Sequence, residues 1–146
     1  MASAIASSGT MDRTTAERLG FNATALDEYV AKPDASYNWT DTGDRLNGTE
    51  LFPTGKVGWT GYVLNMTSQT WMTEKESNRP VWWHYLVVII PDNVEDKNKD
   101  FGFLWITDGE NTDAVPHGGI SKGTNYNIIV AARIACETGL VTSSLF

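Results

Sequence analysis

The sequence predicts an α/β domain in which antiparallel strands lead into a strand–helix–strand unit, and it predicts that this domain is incomplete. Two apolar runs rich in β-branched and aromatic residues, Val81–Ile90 and Phe101–Ile106, fit strands that are buried on both faces. One long amphipathic segment, Thr124–Glu137, fits a helix. A sheet buried on both faces needs helices on both sides, and only one substantial helix is predicted. We therefore expect residues 25–146 to be the N-terminal segment of a larger domain.

The first predicted elements are a tail, a short helix and a long loop. Residues 1–24 are predicted to form a flexible tail, because the segment is mostly small and polar and lacks clear periodicity. Thr24 and Asp27 have the spacing of a capping box, which begins a short helix at Ala25–Ala31. The following stretch, Asp34 to Gly58, is rich in Gly, Thr, Asp and Asn and predicts a loop.

Three strands are predicted next. Trp59–Met66 alternates apolar and polar side chains, which indicates a strand with one buried face. A polar connection, Thr67–Pro80, leads to the strand at Val81–Ile90, and a charged turn, Asp92–Asp100, leads to the strand at Phe101–Ile106. Because these last two runs have the same character and are joined by a short turn, we expect them to pair side by side.

One side of the predicted helix is apolar and is expected to pack on the sheet. It is formed by Tyr126, Ile129, Val130 and Ile134. Gly139 follows as the helix stop, and Leu140–Phe146 begins a further strand pattern.

Composition excludes several classes of function. The net charge of −7 and the lack of a Lys/Arg cluster argue against nucleic acid as a partner. No apolar run approaches the length of a membrane-spanning helix, and no signal peptide is visible. A single cysteine, Cys136, excludes an internal disulfide and a cysteine-based zinc site. No phosphate-binding glycine loop is present, and we expect neither a cofactor nor a metal.

Four Asn-x-Thr sequons favour a secreted glycoprotein. They lie at Asn22, Asn38, Asn47 and Asn65. Incidental threonine-rich loop sequence is the alternative explanation. We expect Asn65 to be the least used of the four, because it lies inside a strand pattern.

The motifs that could supply a nucleophile or a base are incomplete. Gly119-Ile-Ser121-Lys-Gly123 matches the letters of a nucleophile elbow, but no strand runs directly into it, so a helix lead-in is the better interpretation. His117 lies in a His-Gly-Gly sequence that comes late for an oxyanion loop, and His84 fits a hydrogen-bonded core histidine. No Ser-His-Asp set can be assigned, and we predict no catalytic residue in this chain.

Two acidic stretches are candidate cation sites. The segment that begins at Asp96 lacks the glycine and the glutamate of an EF-hand loop. A solvated hairpin turn is therefore the better interpretation of this segment. Asp108, Glu110 and Asp113 follow a strand end and could form at most a weak cation site.

Several segments resemble one protein family. These are Leu26–Asp34, Tyr62–Trp71 and Arg79-Pro-Val-Trp82 with His84. They are similar to the N-terminal portion of the PhoPQ-activated pathogenicity-related family, and the similarity extends with gaps to Phe146. The resemblance covers most of this chain but only the first part of a family member.

The resemblance implies an α/β-hydrolase-like fold in an exported protein whose nucleophile, acid and histidine lie beyond Phe146. The loop that begins at Asp108, Gly109 and Glu110 would then lie where an oxyanion-hole amide is supplied. The family tends to be glycine-rich at this point, whereas this chain is acidic. The segment Asp41–Pro53 resembles an insertion.

We therefore expect a non-catalytic N-terminal segment of a secreted α/β-hydrolase-like glycoprotein with a proliferation-repressor-like role in signalling or recognition. Its expected partners are an unknown protein or receptor and the rest of its own domain. The alternative is part of an active serine hydrolase that acts on ester or peptide bonds. A stand-alone binding module fits less well, because an incomplete sheet leaves apolar surface and an edge uncovered.

Overall fold

The computed structural model describes Thr24–Thr107 and Asn125–Phe146. In chain order its elements are α1 (Ala25–Ala31), β1 (Asn38–Phe52), β2 (Gly55–Thr70), β3 (Val81–Pro91), a 3₁₀ turn (Asp96–Asn98), β4 (Gly102–Ile106), α2 (Tyr126–Thr138) and β5 (Val141–Leu145). Helix α1 belongs to one compact unit and the sheet to another, Ser36–Phe146.

Helix α1 begins at the predicted capping box. Thr24 Oγ1 accepts a hydrogen bond from the Asp27 N–H at 3.4 Å, and the Thr24 N–H donates to Asp27 Oδ2 at 2.7 Å. These bonds satisfy N–H groups that a helix N-terminus leaves without partners. The hydrogen bonds from the side chain and the backbone of Thr24 also lower the pKa of Asp27. Apart from Thr24, the predicted tail at residues 1–24 lies outside the described residues.

The described residues form a five-stranded sheet in the order β1-β2-β3-β5-β4. Strands β1, β2 and β3 are successive antiparallel neighbours. Strand β5 is antiparallel to β3 and parallel to β4, and α2 connects this parallel pair. The chain is therefore a mixed α/β protein with leading antiparallel strands followed by a strand–helix–strand unit, as the sequence predicted.

The predicted loop from Asp34 to Gly58 is wrong, because most of it is strand β1 and the start of β2. Strand β1 is the outer strand of a hairpin, and only Leu46 on it is buried. Its sequence can therefore be mostly polar, which is why it resembled a loop. Its Gly48 lies against the indole of Trp59, which occupies the space that a Cβ would need. The glycine that indicated a loop instead makes room for a neighbouring tryptophan.

The predicted pairing of β3 with β4 is also wrong, because β5 lies between them. Parallel strands need a crossover connection, and α2 supplies it from β4 to β5. The strand pattern at Leu140–Phe146 is confirmed as β5, but its position next to β3 was not predicted, because its inward residues are polar. Thr142 Oγ1 donates to the Ala131 carbonyl at 2.9 Å and Ser144 Oγ donates to the Asn127 carbonyl at 3.3 Å, so both hydroxyls are satisfied beneath α2.

The predicted contact face of α2 is wrong in its details. Tyr126 is 71% exposed and Ile129 is 42% exposed. The buried residues are mostly small: Ile128, Ala131, Ala132, Ala135 and Cys136. Small side chains let the helix backbone approach β5 closely, so the packing stripe is narrower and less apolar than the pattern of large residues indicated.

The two faces of the sheet differ in cover. Alternate residues of the strands point toward α2 and form the helix face, whose core members are Leu46, Trp59, Val63, Val87 and Ile89. The opposite side, the open face, carries Leu64, Leu86, Val88, Ile90, Leu104 and Ile106, none of them buried. The prediction of burial on both faces therefore holds on one face only for β3. It is wrong for β4, which lies at the edge of the described sheet and has no buried residue.

Candidate functional site

A cleft lies at the carboxyl ends of the parallel strands β4 and β5. This is the place where α/β sheets commonly bind ligands. The cleft has a volume of about 480 Å³, and the beginning of β3 forms its third side. Its apolar walls include Val81, Trp82, Ile106, Leu145 and Phe146, and its polar groups include Arg79 and His84.

A contact between Ser68 and His84 fixes one wall of the cleft. The register between β2 and β3 shifts between Thr67 and Gln69, so Ser68 is the extra residue of a β-bulge. His84 Nε2 lies 3.1 Å from Ser68 Oγ, and Ser68 Oγ donates to the Trp82 carbonyl at 3.2 Å. Because the Ser68 hydroxyl donates its proton to the Trp82 carbonyl, we assign the donor role in the contact between His84 and Ser68 to the N–H at His84 Nε2.

This arrangement positions the imidazole and does not activate the serine. A general base must accept the serine proton, whereas in our assignment the Ser68 hydroxyl donates to the Trp82 carbonyl. Within the described ranges no carboxylate contacts His84, so no acidic side chain there orients the imidazole ring. His84 was predicted to be a hydrogen-bonded core histidine; it is hydrogen-bonded but only half-buried, and it lines a cleft. Ser68 was missed, because a bulge leaves no signal in the residue pattern.

The other sequence-based candidates for chemistry lie outside the described residues. These are the oxyanion-side residues Asp108, Gly109 and Glu110, the acidic Asp113, the histidine His117 and the elbow-like Ser121. They remain predictions.

Three of the four predicted glycosylation residues are described, and all three are exposed. Asn38 and Asn47 lie on β1, and Asn65 lies on β2. Asn47 Oδ1 accepts a hydrogen bond from Thr60 Oγ1 at 3.2 Å. Asn22 lies outside the described ranges.

The charged turn after β3 anchors the end of α2. Asn93 Nδ2 donates to the Cys136 carbonyl at 2.9 Å, and Asn98 Nδ2 donates to the Thr138 carbonyl at 3.2 Å. These bonds satisfy carbonyl groups that a helix C-terminus leaves free, so the segment has a structural role. In the part of the chain that the structure describes, no group of three or more His, Cys, Asp or Glu side chains could hold a metal ion.

A bidentate ion pair stabilises an irregularity in β1. Arg45 Nη1 and Nη2 donate to the two carboxylate oxygens of Asp41 at 2.8 and 2.6 Å, where the register with β2 shifts. The guanidinium of Arg45 and the N–H of Gly43 lower the pKa of Asp41 from 3.8 to about 2. Arg45 also lies over the ring of Tyr62, 4.4 Å from its centroid.

The single cysteine has the properties of a core residue. Burial, with a smaller contribution from Glu50 and Asp92, raises the pKa of Cys136 to about 11. A thiol with a raised pKa is a poor nucleophile at neutral pH.

Comparison with known proteins gives one family and one curated relative. The family described as PhoPQ-activated pathogenicity-related protein matches residues 26–146. Autocrine proliferation repressor protein A of Dictyostelium discoideum is 40% identical over 89 residues, which cover 61% of this chain and 15% of that protein. No solved structure matches the chain. None of the described helices is long and apolar enough to cross a membrane.

Proposed function

Since this chain belongs to the PhoPQ-activated pathogenicity-related family, we propose that it is a non-catalytic N-terminal segment of a secreted α/β-hydrolase-like glycoprotein. Its role in this proposal is signalling or recognition of the kind that the name of its relative, an autocrine proliferation repressor, describes. The chain spans 15% of that relative, so the activity of a whole protein is part of the proposal.

The observation that carries the proposal is the open face. In a sheet with parallel strands, helices normally cover both faces, and here α2 covers one. Leu104 is 50% exposed and Ile106 is 72% exposed on the other face. Apolar surface of this extent marks a contact that the described residues do not make. In the proposal, the rest of the same domain makes that contact.

The connectivity supports the hydrolase-like part of the proposal. In α/β-hydrolases the loop between a sheet strand and the first helix supplies one N–H of the oxyanion hole. Here the corresponding segment of the sequence lies between β4 and α2 and begins with Asp108, Gly109 and Glu110. The cleft is lined by Ile106 and Thr107, which directly precede this segment in the sequence.

The same cleft favours the alternative, in which the segment is part of an active serine hydrolase on ester or peptide bonds. In that case the nucleophile lies beyond Phe146, and the aromatic wall at Trp82 would contact the substrate. A fluorophosphonate probe tests the point on which both proposals agree, that residues 1–146 hold no nucleophile. The non-catalytic proposal expects no covalent labelling, and labelling that Ser121→Ala abolishes would put a nucleophile within it.

Signalling is tested by adding the purified chain to growing cultures of the cells that produce it and measuring their doubling time. A longer doubling time is expected, and the heat-unfolded protein serves as the control. An unchanged doubling time at saturating protein would contradict a repressor role for this segment. Val88→Asp, an open-face change, tests whether that face takes part in the response.

A further inference from the structure

The strand register sorts the glycosylation sequons by face. Asn38-Trp39-Thr40 on β1 runs antiparallel to Asn65-Met66-Thr67 on β2, so that Asn38 lies opposite Thr67 and Thr40 opposite Asn65. Residues that lie opposite each other share a face, and so do alternate residues of one strand. Asn65 therefore lies on the same face as the buried Val63, the helix face, and Asn38 lies there too. Asn47 is opposite Thr60 on the open face.

Lying inside a strand does not distinguish Asn65 from the others. Asn38 and Asn47 lie inside β1, and all three asparagines are exposed. The expectation that Asn65 is the least used therefore loses its basis. The three asparagines differ instead in the residues that lie opposite them on the neighbouring strands.

Asn65 has aromatic neighbours on its own face. It lies opposite Tyr85 of β3, and Thr67 lies opposite Trp83. The two rings are in a T-shaped contact with centroids 5.6 Å apart, and both are half-buried. Opposed Cβ atoms in an antiparallel pair are roughly 4.5–5.5 Å apart. A group attached to Asn65 thus stands beside an aromatic surface. Asn38, on the edge strand, lies opposite a threonine.

We propose that Asn65 is the N-glycosylated residue of this hairpin, with its first N-acetylglucosamine packed on Tyr85 and Trp83. The inference rests on the proposed secretion. The donor is a lipid-linked diphospho-oligosaccharide. The Asn65 side-chain nitrogen bonds to the anomeric carbon, the bond from that carbon to the diphosphate breaks, and the amide proton leaves with the diphosphate. The C–H face of the sugar is apolar and its hydrogens are slightly positive, which suits the negative face of an aromatic ring.

The register also limits how many glycans the hairpin carries. Asn38 lies diagonally from Asn65 on the same face, roughly 7–8 Å away by the usual diagonal spacing. A second core glycan would crowd the first. The proposal therefore assigns one glycan to this pair of sequons, at Asn65.

Site mapping tests the assignment. The whole chain is expressed behind a cleavable leader in a eukaryotic secretory line, and the glycans are released enzymatically in oxygen-18 water, which marks each asparagine that carried one. We expect the label at Asn65 and not at Asn38. Asn65→Gln should remove one glycan mass, whereas the matched Asn38→Gln should keep it. Occupancy of Asn38, alone or together with Asn65, overturns the assignment. A chain with no glycan at any sequon overturns the proposed glycoprotein itself.

Thermal unfolding tests the contact with the rings. Trimming the glycan to its first sugar should leave Tm unchanged, and removing that sugar should lower Tm by about 2–4 °C. Asn65→Asp is the control, because enzymatic removal leaves aspartate. Tyr85→Leu keeps apolar bulk but removes the ring, and Trp83→Leu is a second variant if Tyr85→Leu does not fold. Loss of the first sugar should then have no effect on Tm. An equal fall in the variant and the native chain overturns the contact.

Discussion

The helix face and the open face of the sheet are built from the same strands, yet they have opposite relations to solvent. On β3, Val87 and Ile89 are fully buried beneath α2, whereas the adjacent Val88 is half-buried and Ile90 is 39% exposed. Since side chains alternate along a strand, composition alone does not distinguish these neighbours. The difference follows from α2, which lies over one face of β3, whereas the side chains on the other face keep part of their surface exposed.

The largest effect should come from placing a charge on each face in turn. Val87→Asp buries a carboxylate with no partner, and we expect it to cost about 4 kcal/mol or more, enough to unfold the chain. The neighbouring Val88→Asp should cost less than about 1 kcal/mol. Urea unfolding followed by circular dichroism measures both. Equal losses would mean that the open face is covered within the chain.

Overpacking beneath α2 should have the next largest effect. Ala135 is fully buried in the small-residue stripe of the helix, so Ala135→Leu must separate helix and sheet. We expect a loss of about 1–3 kcal/mol in the free energy of unfolding. Ile129→Leu is the matched control at an exposed position of the same helix and should change little. A neutral result for Ala135→Leu would show that the helix packs more loosely than the structure indicates.

Removing one buried hydroxyl should have a smaller effect. Thr142→Val keeps the shape of the side chain and deletes the hydrogen bond to the Ala131 carbonyl. The expected loss is about 0.5–1.5 kcal/mol. Ser143→Ala, on the open face of the same strand, should lie within about 0.5 kcal/mol of the native chain. If both variants unfold at the same urea concentration, the hydrogen bond beneath α2 contributes nothing measurable.

The smallest effect concerns Asp41 and its pair with Arg45, which are exposed on β1. The pKa of Asp41 is lowered to about 2 in the folded chain, so the stabilisation is present above the unfolded value of 3.8 and is lost as pH falls toward 2. Asp41→Asn should remove this part of the pH dependence. Comparison of the urea midpoints at pH 6 and pH 2.5 measures it, and an identical pH slope in both proteins would contradict the shift.

Sequence patterns predicted the elements whose residues are strongly apolar or strongly capped. Strands β2, β3 and β4 and the helices α1 and α2 were found in this way, and a further strand pattern was recognised at β5, since apolar composition, alternation and capping leave local signals. The family resemblance was confirmed by the match to residues 26–146. The mixed α/β class with its antiparallel leading strands was confirmed as well.

The elements that sequence patterns missed are those in which a neighbour determines the conformation. Strand β1 was missed because it is polar, with only Leu46 buried. The place of β5 between β3 and β4 was missed because it depends on α2, whose carbonyls accept the hydroxyls of Thr142 and Ser144. The contact of Ser68 with His84 depends on a one-residue bulge, which shifts register without changing composition. Each of these features depends on pairing between distant segments, and no local window contains that information.

The position of β5 between β3 and β4 has a consequence for biosynthesis. Among the described strands, β4 pairs with the sheet only through β5. On the side of β3 that faces β5, Val87 lies opposite Ser144. At a synthesis rate of about 5–20 residues per second, roughly 3–11 s pass between the synthesis of Val87 and the synthesis of Ser144. During this interval a fully formed β1–β2–β3 meander would present an unpaired apolar edge to other chains. A nascent chain of this protein is therefore expected to depend on a chaperone at this stage of its translation.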